Sequence, residues 1–292
     1  MDAKEITTKK FIAFMAVAFG VAYIPLIFAG LALAKGQTIL FAILFRFVAI
    51  FIPLLAVIVA RLPFKKLGFK IRVGIKNIFL SLMGSQIMAY VGAAIFLLIF
   101  WDKCELSLAG LLSQFPAESG DLFGQLGLDT GKLLPFILLF SLAALPISQI
   151  LPSLGEEAGW RGVMYPFLKS KLGKTPGRIV GGILWGVWHW PLLILGGYFY
   201  GSEYRGAPVL GPVVICIALT AFGIYIDHLY EKTGSIWMAS LAHGGMNAAA
   251  VPMMLITVND PSLAIFGPTC FALIPLIPVV IADVIITIKK RK

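Results

Sequence analysis

The chain has 292 residues, of which 59% are hydrophobic and 13% charged, with a formal net charge of +10. Its mean hydropathy is +0.94. A water-soluble globule does not carry so apolar a surface, so the composition excludes a soluble domain and predicts a polytopic membrane protein. Because we find no repeat, low-complexity tract or separate soluble segment, we predict a single membrane-embedded domain over residues 1–292.

Apolar runs long enough to cross about 30 Å of hydrocarbon recur along the chain. Since lipid cannot satisfy backbone N–H and C=O groups, and the runs are longer than barrel strands, each run is predicted to be helical. The predicted fold class is therefore all-α, with about eight transmembrane helices. The predicted spans cover residues 11–34, 38–60, 77–101, 133–153, 179–200, 208–230, 235–256 and 263–288.

Basic residues divide unequally between the loops on the two sides of these spans. Of the 24 lysines and arginines, 19 lie before the first span or after an even-numbered one. The positive-inside rule therefore predicts that both termini are cytoplasmic. Orientation and anionic lipid account for the net charge, so the charge does not indicate a nucleic-acid partner.

Charged residues occur within one predicted span and in two predicted loops. Arg46 lies within the second span, where we expect it to pair with an acid or to extend towards the surface in a structural role. The predicted inner loop 61–76 mixes basic and apolar residues, as in a segment lying among lipid headgroups. The predicted outer loop, about 102–132, contains the acidic residues Asp102, Glu105, Glu118, Asp121 and Asp129.

Two adjacent carboxylates, Glu156 and Glu157, stand between long apolar runs and are followed by Arg161. Uncompensated charge in such surroundings costs several kcal/mol per ion. In a helix, Glu157 and Arg161 lie on one face in the favourable order for an ion pair, whereas Glu156 points about 100° away. Glu156 is then available for another role. The alternative is an ordinary helix start at the membrane surface, with acids at the positive dipole end.

The chain has only three histidines, and two of them fall near the middle of predicted spans. His189 lies in the fifth span, and His243 lies in the seventh with Asn247 one turn further along the same face. An imidazole in hydrocarbon needs a partner or a wet cavity, so intramembrane histidines are candidates for a functional site.

This set of groups suits hydrolysis. Glu156 with His189 can activate a water as general base, and His243 with Asn247 offers two donors to a developing oxyanion. Zinc is the alternative use, with Glu156, His189 and His243 as ligands, although the helical His-Glu-x-x-His motif is absent. A proton relay in a transporter is a non-enzymatic alternative; inverted repeats would favour it, and we detect none.

At these residues the sequence resembles the type II CAAX prenyl protease family, also called the CPBP or ABI family of intramembrane proteases. The family has three motifs, Glu-Glu-x-x-x-Arg, Phe-x-x-x-His and His-x-x-x-Asn. In order, they align with Glu156, Glu157 and Arg161, with Trp185 and His189, and with His243 and Asn247. Trp185 replaces the Phe of the second motif, and the resemblance covers a core of about residues 130–255.

The resemblance implies a glutamate-dependent intramembrane endopeptidase that uses no metal or other cofactor. It assigns roles to six residues: water activation to Glu156 and His189, oxyanion stabilisation to His243 and Asn247, and support of the site to Glu157 and Arg161.

The resemblance also implies partners and a location. The substrate is expected to be a membrane-associated protein or peptide cleaved near its C-terminus, prenylated in eukaryotic members. Prokaryotic members are tied to bacteriocin self-immunity or processing, so an immunity factor that acts by binding is a further alternative. We expect a multi-pass protein in the lipid bilayer of a prokaryotic plasma membrane, with its cavity open to the cytoplasmic leaflet.

Overall fold

A computed structural model describes residues 6–112, 125, 127 and 129–289 of the chain. Glu118 and Asp121 of the predicted outer loop, and the basic residues Lys4 and 290–292, lie outside the described residues. Most of the described chain is helical, which confirms the all-α fold class. Among the described residues, five helices are long and apolar enough to cross a membrane: Thr8–Ala34 (α1), Thr38–Val59 (α2), Ile75–Ile99 (α3), Lys174–Gly196 and Leu210–Thr233.

The outward faces of these helices are apolar. Phe47 on α2 and Leu98 on α3 are 70% and 80% exposed, and many other large aliphatic side chains on the spans are also exposed. Contiguous exposed apolar surface of this extent is costly in water and is the normal surface of a helix in lipid. The chain is therefore a multi-pass integral membrane protein.

The fourth predicted span is a series of short helices rather than one long helix. The break before its second helix falls at Ala143, whose backbone leaves the helical region at φ −130° and ψ −59°. Pro146 and Pro152 lack the N–H that a continuous helix would use. The segment consists of Thr130–Leu142 (α5), Ala144–Ser148 (α6), Ile150–Gly159 (α7), a π-helical turn at Trp160–Met164, and Tyr165–Leu172 (α8).

The remaining helices also differ in places from the predicted spans. The eighth predicted span is helical only in its second half, since Pro268 and Pro275 interrupt the first. The count of eight spans stays a prediction. The elements are Lys174–Trp188 (α9) and Trp190–Gly196 (α10), which meet at His189, followed by Leu210–Thr233 (α11), Ile236–Met253 (α12) and Ile277–Lys289 (α13).

Two short strands form a small antiparallel ladder at one end of the helices. Cys104 pairs with Val258 and Leu106 with Ile256. This pairing joins the predicted outer loop after α3 to the segment after α12, an addition that the all-α prediction did not include. The strands are Cys104–Leu106 (β1) and Ile256–Val258 (β2), with the short helix Ala109–Leu112 (α4) directly after β1.

The opposite end of the helices is closed by buried ion pairs between α8, α9 and α11. The side chain of Asp227 is fully buried and lies 2.6 Å from Arg178 Nε and 2.7 Å from Lys169 Nζ. Glu231, one turn further on, pairs with Lys169, Arg178 and Lys174 at 2.7–3.0 Å. Because each carboxylate faces more than one cation, the charges are compensated at the end of the molecule that carries the basic loops.

Candidate active site

One cavity of about 770 Å³ lies among the helices and reaches β2 and α4. Its walls are mainly apolar, with a few polar side chains directed into it. The four residues predicted to carry the chemistry all line this cavity: Glu156, His189, His243 and Asn247. The fold thus brings together groups that are far apart in sequence, up to the 91 positions that separate Glu156 from Asn247.

Glu156 lies in the last turn of α7, where its carboxylate is held by two indole groups. Trp160 Nε1 donates to Glu156 Oε2 at 3.0 Å, and Trp185 Nε1 donates to the same oxygen at 2.8 Å. Both bonds fall on Oε2, and no described residue donates to Oε1. Because Glu156 is only 5% exposed yet lines the cavity, the carboxylate is fixed in place with one oxygen left for a water or a ligand.

His189 occupies the junction where α9 ends and α10 begins, with φ −85° and ψ −10°. Its Nδ1 lies 3.0 Å from the carbonyl oxygen of Trp185. A carbonyl oxygen only accepts, so Nδ1 carries the proton, and Nε2 of the neutral ring holds a lone pair. The ring is therefore in the tautomer that a general base on the cavity side requires.

His243, in the middle of α12, is oriented by a buried ion pair. Its Nδ1 lies 2.9 Å from Glu157 Oε1, and Arg161 Nη1 donates to the same oxygen at 2.8 Å. The side chains of Glu157 and Arg161 are fully buried, so the predicted ion pair is present. A carboxylate that accepts from Nδ1 fixes the orientation of the imidazole and leaves Nε2 directed away from the carboxylate. Catalytic and metal-bound histidines are commonly oriented by a second group in this way.

The guanidinium of Arg161 is held from several directions. Its Cζ lies 4.6 Å from the centre of the Tyr165 ring and 4.5 Å from the Trp185 ring. Nη2 donates to the carbonyl oxygen of Gly223 at 3.3 Å. Arginine is suited to such a place because its planar cation stacks on aromatic faces while it pairs with a carboxylate.

Asn247 lies one turn after His243 on α12 and is half-buried in the cavity wall. Its side-chain amide has no hydrogen-bond partner in the part of the chain that the structure describes. A free amide donor beside His243 is the arrangement expected for oxyanion stabilisation. The roles of the predicted site residues remain predictions.

The side chain of Trp185 lies beside Glu156, His189 and His243. Besides its bond to Glu156, its ring lies 5.1 Å from that of His243 and 6.5 Å from that of His189, centre to centre. From the sequence we noted only that Trp replaces the Phe of the motif at this position. The indole N–H donor to Glu156 was not predicted, nor was the matching donor of Trp160; a tryptophan four residues after a buried glutamate was the available signal.

The cavity reaches the end of the helix bundle where the predicted outer loops lie. Its lining includes Gly110, Thr257 and Pro261, which lie in or beside the predicted outer loops. The ion pairs of Asp227 lie at the opposite end, with the basic loops. The cavity therefore reaches the end of the bundle opposite the basic loops. The cytoplasmic location of the termini and the opening of the cavity to the cytoplasmic leaflet stay predictions.

The zinc alternative can be compared with the side-chain positions. Within residues 6–112 and 129–289, no three His, Cys, Asp or Glu side chains converge closely enough to hold a metal ion. Nδ1 of His189 is occupied by a carbonyl and Nδ1 of His243 by a carboxylate, so each ring offers only Nε2 to any further ligand.

The geometry defines a class: a multi-pass helical membrane protein with a carboxylate, two imidazoles and an amide on one internal cavity. Comparison with known proteins then identifies the family that it resembles. A family model described as type II CAAX prenyl endopeptidase Rce1-like matches residues 135–249, a range that contains all three motifs. The resemblance predicted from those motifs is confirmed over this range.

A curated relative gives the same result. The "CAAX prenyl protease 2" of Methanococcus maripaludis is 26% identical over 164 residues, which are 56% of this chain and 51% of the relative. The chain thus spans about half the length of the curated relative that it matches. The archaeal source of this relative is consistent with the predicted prokaryotic origin.

Proposed function

We propose that this chain is an intramembrane endopeptidase of the type II CAAX prenyl protease kind. It cleaves near the C-terminus of a membrane-tethered protein or peptide, which is prenylated in the simplest version of the proposal. One observation carries the proposal: Glu156, His189, His243 and Asn247 line a single cavity inside a membrane protein. The family match over residues 135–249 and the name of the archaeal relative support it.

The proposed chemistry is the addition of water to a peptide carbonyl. Glu156, with His189 beside it, takes a proton from the water as its oxygen attacks the carbonyl carbon. The developing oxyanion receives hydrogen bonds from the Asn247 amide and from Nε2–H of His243 in its doubly protonated form, in which Nδ1–H donates to Glu157. Collapse of the tetrahedral intermediate breaks the C–N bond, and the proton passes to the leaving amine.

The test is cleavage of a prenylated CAAX peptide by detergent-purified protein. Glu156→Gln keeps the shape of the side chain and removes the base, so cleavage is expected to fall by about 10²–10⁴-fold. Glu203→Gln, at an exposed position outside the cavity lining, is the control and is expected to cleave normally. Cleavage retained by Glu156→Gln would contradict the mechanism.

The metal-independent version of the proposal is tested in the same assay. Cleavage is expected to survive a strong zinc chelator. Loss of activity that added zinc restores would favour the zinc hydrolase. If the unmutated protein cleaves no such peptide, protection of cells from a bacteriocin can be compared between the protein and Glu156→Gln. Protection that survives the substitution would favour a binding role over cleavage.

A further inference from the structure

A second charged residue on the cavity wall remains unexplained by the proposed mechanism. Arg46 lies in α2, eight residues after the helix begins at Thr38, or roughly 12 Å along the axis at the usual helical rise. An arginine at that depth in an apolar helix is costly unless it meets a partner, water or a ligand. We predicted an acid partner or a position near the surface.

Arg46 differs from the other buried or cavity-lining charges in its surroundings. No carboxylate in the described part of the chain forms an ion pair with it, and its side chain is exposed and lines the cavity. The backbone around it, Ile43–Val48, is π-helical, a local distortion that is frequent at functional sites. Arg46 is therefore a cation presented to a mostly apolar cavity.

Arg46 is also close along α2 to the groups that would carry the chemistry. The adjacent Phe45 packs edge-to-face on His189, with ring centres 6.2 Å apart. Ile50, one turn after Arg46, contacts the segment that holds Glu156, since its carbonyl oxygen is 2.5 Å from where a Cβ on Gly155 would lie. Arg46 precedes Ile50 by four residues, or roughly 6 Å along α2 at the usual helical rise. Two residues of extended peptide, at about 3.3 Å each, cover that length.

We propose that Arg46 binds the free C-terminal carboxylate of the substrate peptide. The inference rests on the proposed function and adds a determinant of where the chain is cut. A guanidinium matches a carboxylate with two parallel N–H···O bonds, which are strong where surrounding apolar groups exclude water. A lipid phosphate is the less favoured anion, because headgroups lie at the end of α2 rather than a dozen or so ångströms inside it.

The test compares two forms of one cleavable peptide, with a C-terminal carboxylate or a C-terminal amide. The unmutated protein is expected to cleave the acid with a kcat/KM about tenfold or more above that of the amide, as a hydrogen-bonded charge pair allows. Arg46→Gln is expected to lower cleavage of the acid to the level of the amide, with the amide itself changed less than twofold. Arg205→Gln, an exposed arginine outside the cavity lining, should keep the preference.

If Arg46→Gln lowers cleavage of the acid and amide peptides equally, or if the unmutated protein shows no preference for the acid, the inference is overturned. Arg46 would then have a structural or lipid-binding role. A second measurement keeps this result separate from failure of the proposed function. Binding of the acid and amide peptides to Glu156→Gln protein, with and without Arg46→Gln, needs no catalysis. A carboxylate preference that depends on Arg46 would support the inference even if no peptide is cleaved, and its absence would refute it.

Discussion

The adjacent glutamates have the same side chain but are held by different partners. Glu157 is fully buried and accepts from a cation and an imidazole, so its charge is used to orient other groups. Glu156 accepts from two neutral indoles through one oxygen and faces the cavity with the other. A neutral donor pair fixes a carboxylate without neutralising it, which suits a group that must take a proton from water.

At the residue scale, Trp185→Phe tests whether the indole N–H positions Glu156. The substitution restores the aromatic residue of the family motif and removes one charge-assisted hydrogen bond, worth about 1.5–3 kcal/mol. We expect kcat for peptide cleavage to fall by about tenfold or more, with KM little changed, because the base is less well fixed.

The control for this substitution is Trp190→Phe, which also removes an indole hydrogen bond, here to the carbonyl oxygen of Pro212. Trp190 does not line the cavity, so its loss is expected to leave kcat near normal. Equal effects of the two substitutions on kcat and on thermal stability would indicate that Trp185 is only a packing residue.

At the scale of helices, close backbone approach positions α7 against α2. A Cβ on Gly155 would meet the carbonyl oxygen of Ile50 at 2.5 Å, closer than real contacts allow. This glycine directly precedes Glu156, so any separation of the two helices would displace the carboxylate that we propose as the base. Helices in membranes commonly associate through small residues in this way.

Gly155→Ala is therefore expected to destabilise the protein and to lower cleavage. Forcing an extra methyl into a packed contact typically costs about 1–3 kcal/mol. The control is Gly20→Ala in α1, where nothing lies within 4 Å of the added Cβ. There the change is expected to be neutral or stabilising, by up to about 1 kcal/mol of helix propensity. Thermal unfolding in detergent measures both, and a Gly155→Ala protein as stable as Gly20→Ala would contradict the packing argument.

At the scale of the whole molecule, the two ends of the helix bundle differ. One end carries the β1–β2 ladder beside the cavity, and the other carries the buried ion pairs of Asp227 and the basic loops. If the basic end is cytoplasmic, as the positive-inside rule predicts, the cavity extends towards the outer side of the membrane. A substrate held in the inner leaflet would then reach the site from the side or by entering deeply.

Cysteine labelling in intact cells tests this orientation. In a Cys104→Ser background the remaining cysteines, Cys216 and Cys270, are buried. Lys103→Cys and Lys65→Cys each place a thiol at an exposed position, at opposite ends of the bundle. A membrane-impermeant maleimide is expected to label Lys103→Cys directly, and Lys65→Cys only after permeabilisation. The reverse pattern would place the cavity on the cytoplasmic side.

Several features were predictable because they depend on local chemistry. The Glu157–Arg161 ion pair follows from an i,i+4 spacing within one turn, and the interrupted fourth span follows from prolines that cannot donate to a helix. The convergence of Glu156, His189 and His243 was predictable because isolated polar groups inside apolar spans need each other or a cavity.

Other features depend on which helices become neighbours, and the sequence does not specify that. The Trp185 donor to Glu156, the carboxylate behind His243 and the glycine contact of α7 with α2 each join segments that are far apart in the chain. The end of the bundle that the cavity reaches is of the same kind, because the charge pattern does not specify it.

By itself, the sequence determined the membrane class, the helical backbone and the set of reactive groups. Lipid offers no hydrogen-bond partners to the backbone of an apolar segment, so the segment forms a helix, and lipid does not solvate a buried charge, so the charge needs a partner or a cavity. Only the tertiary structure decided which oxygen of Glu156 is free, which nitrogen of each histidine faces the cavity, and that Arg46 pairs with no acid among the described residues. These depend on hydrogen bonds and contacts between distant segments, whose geometry exists only once the helices have packed.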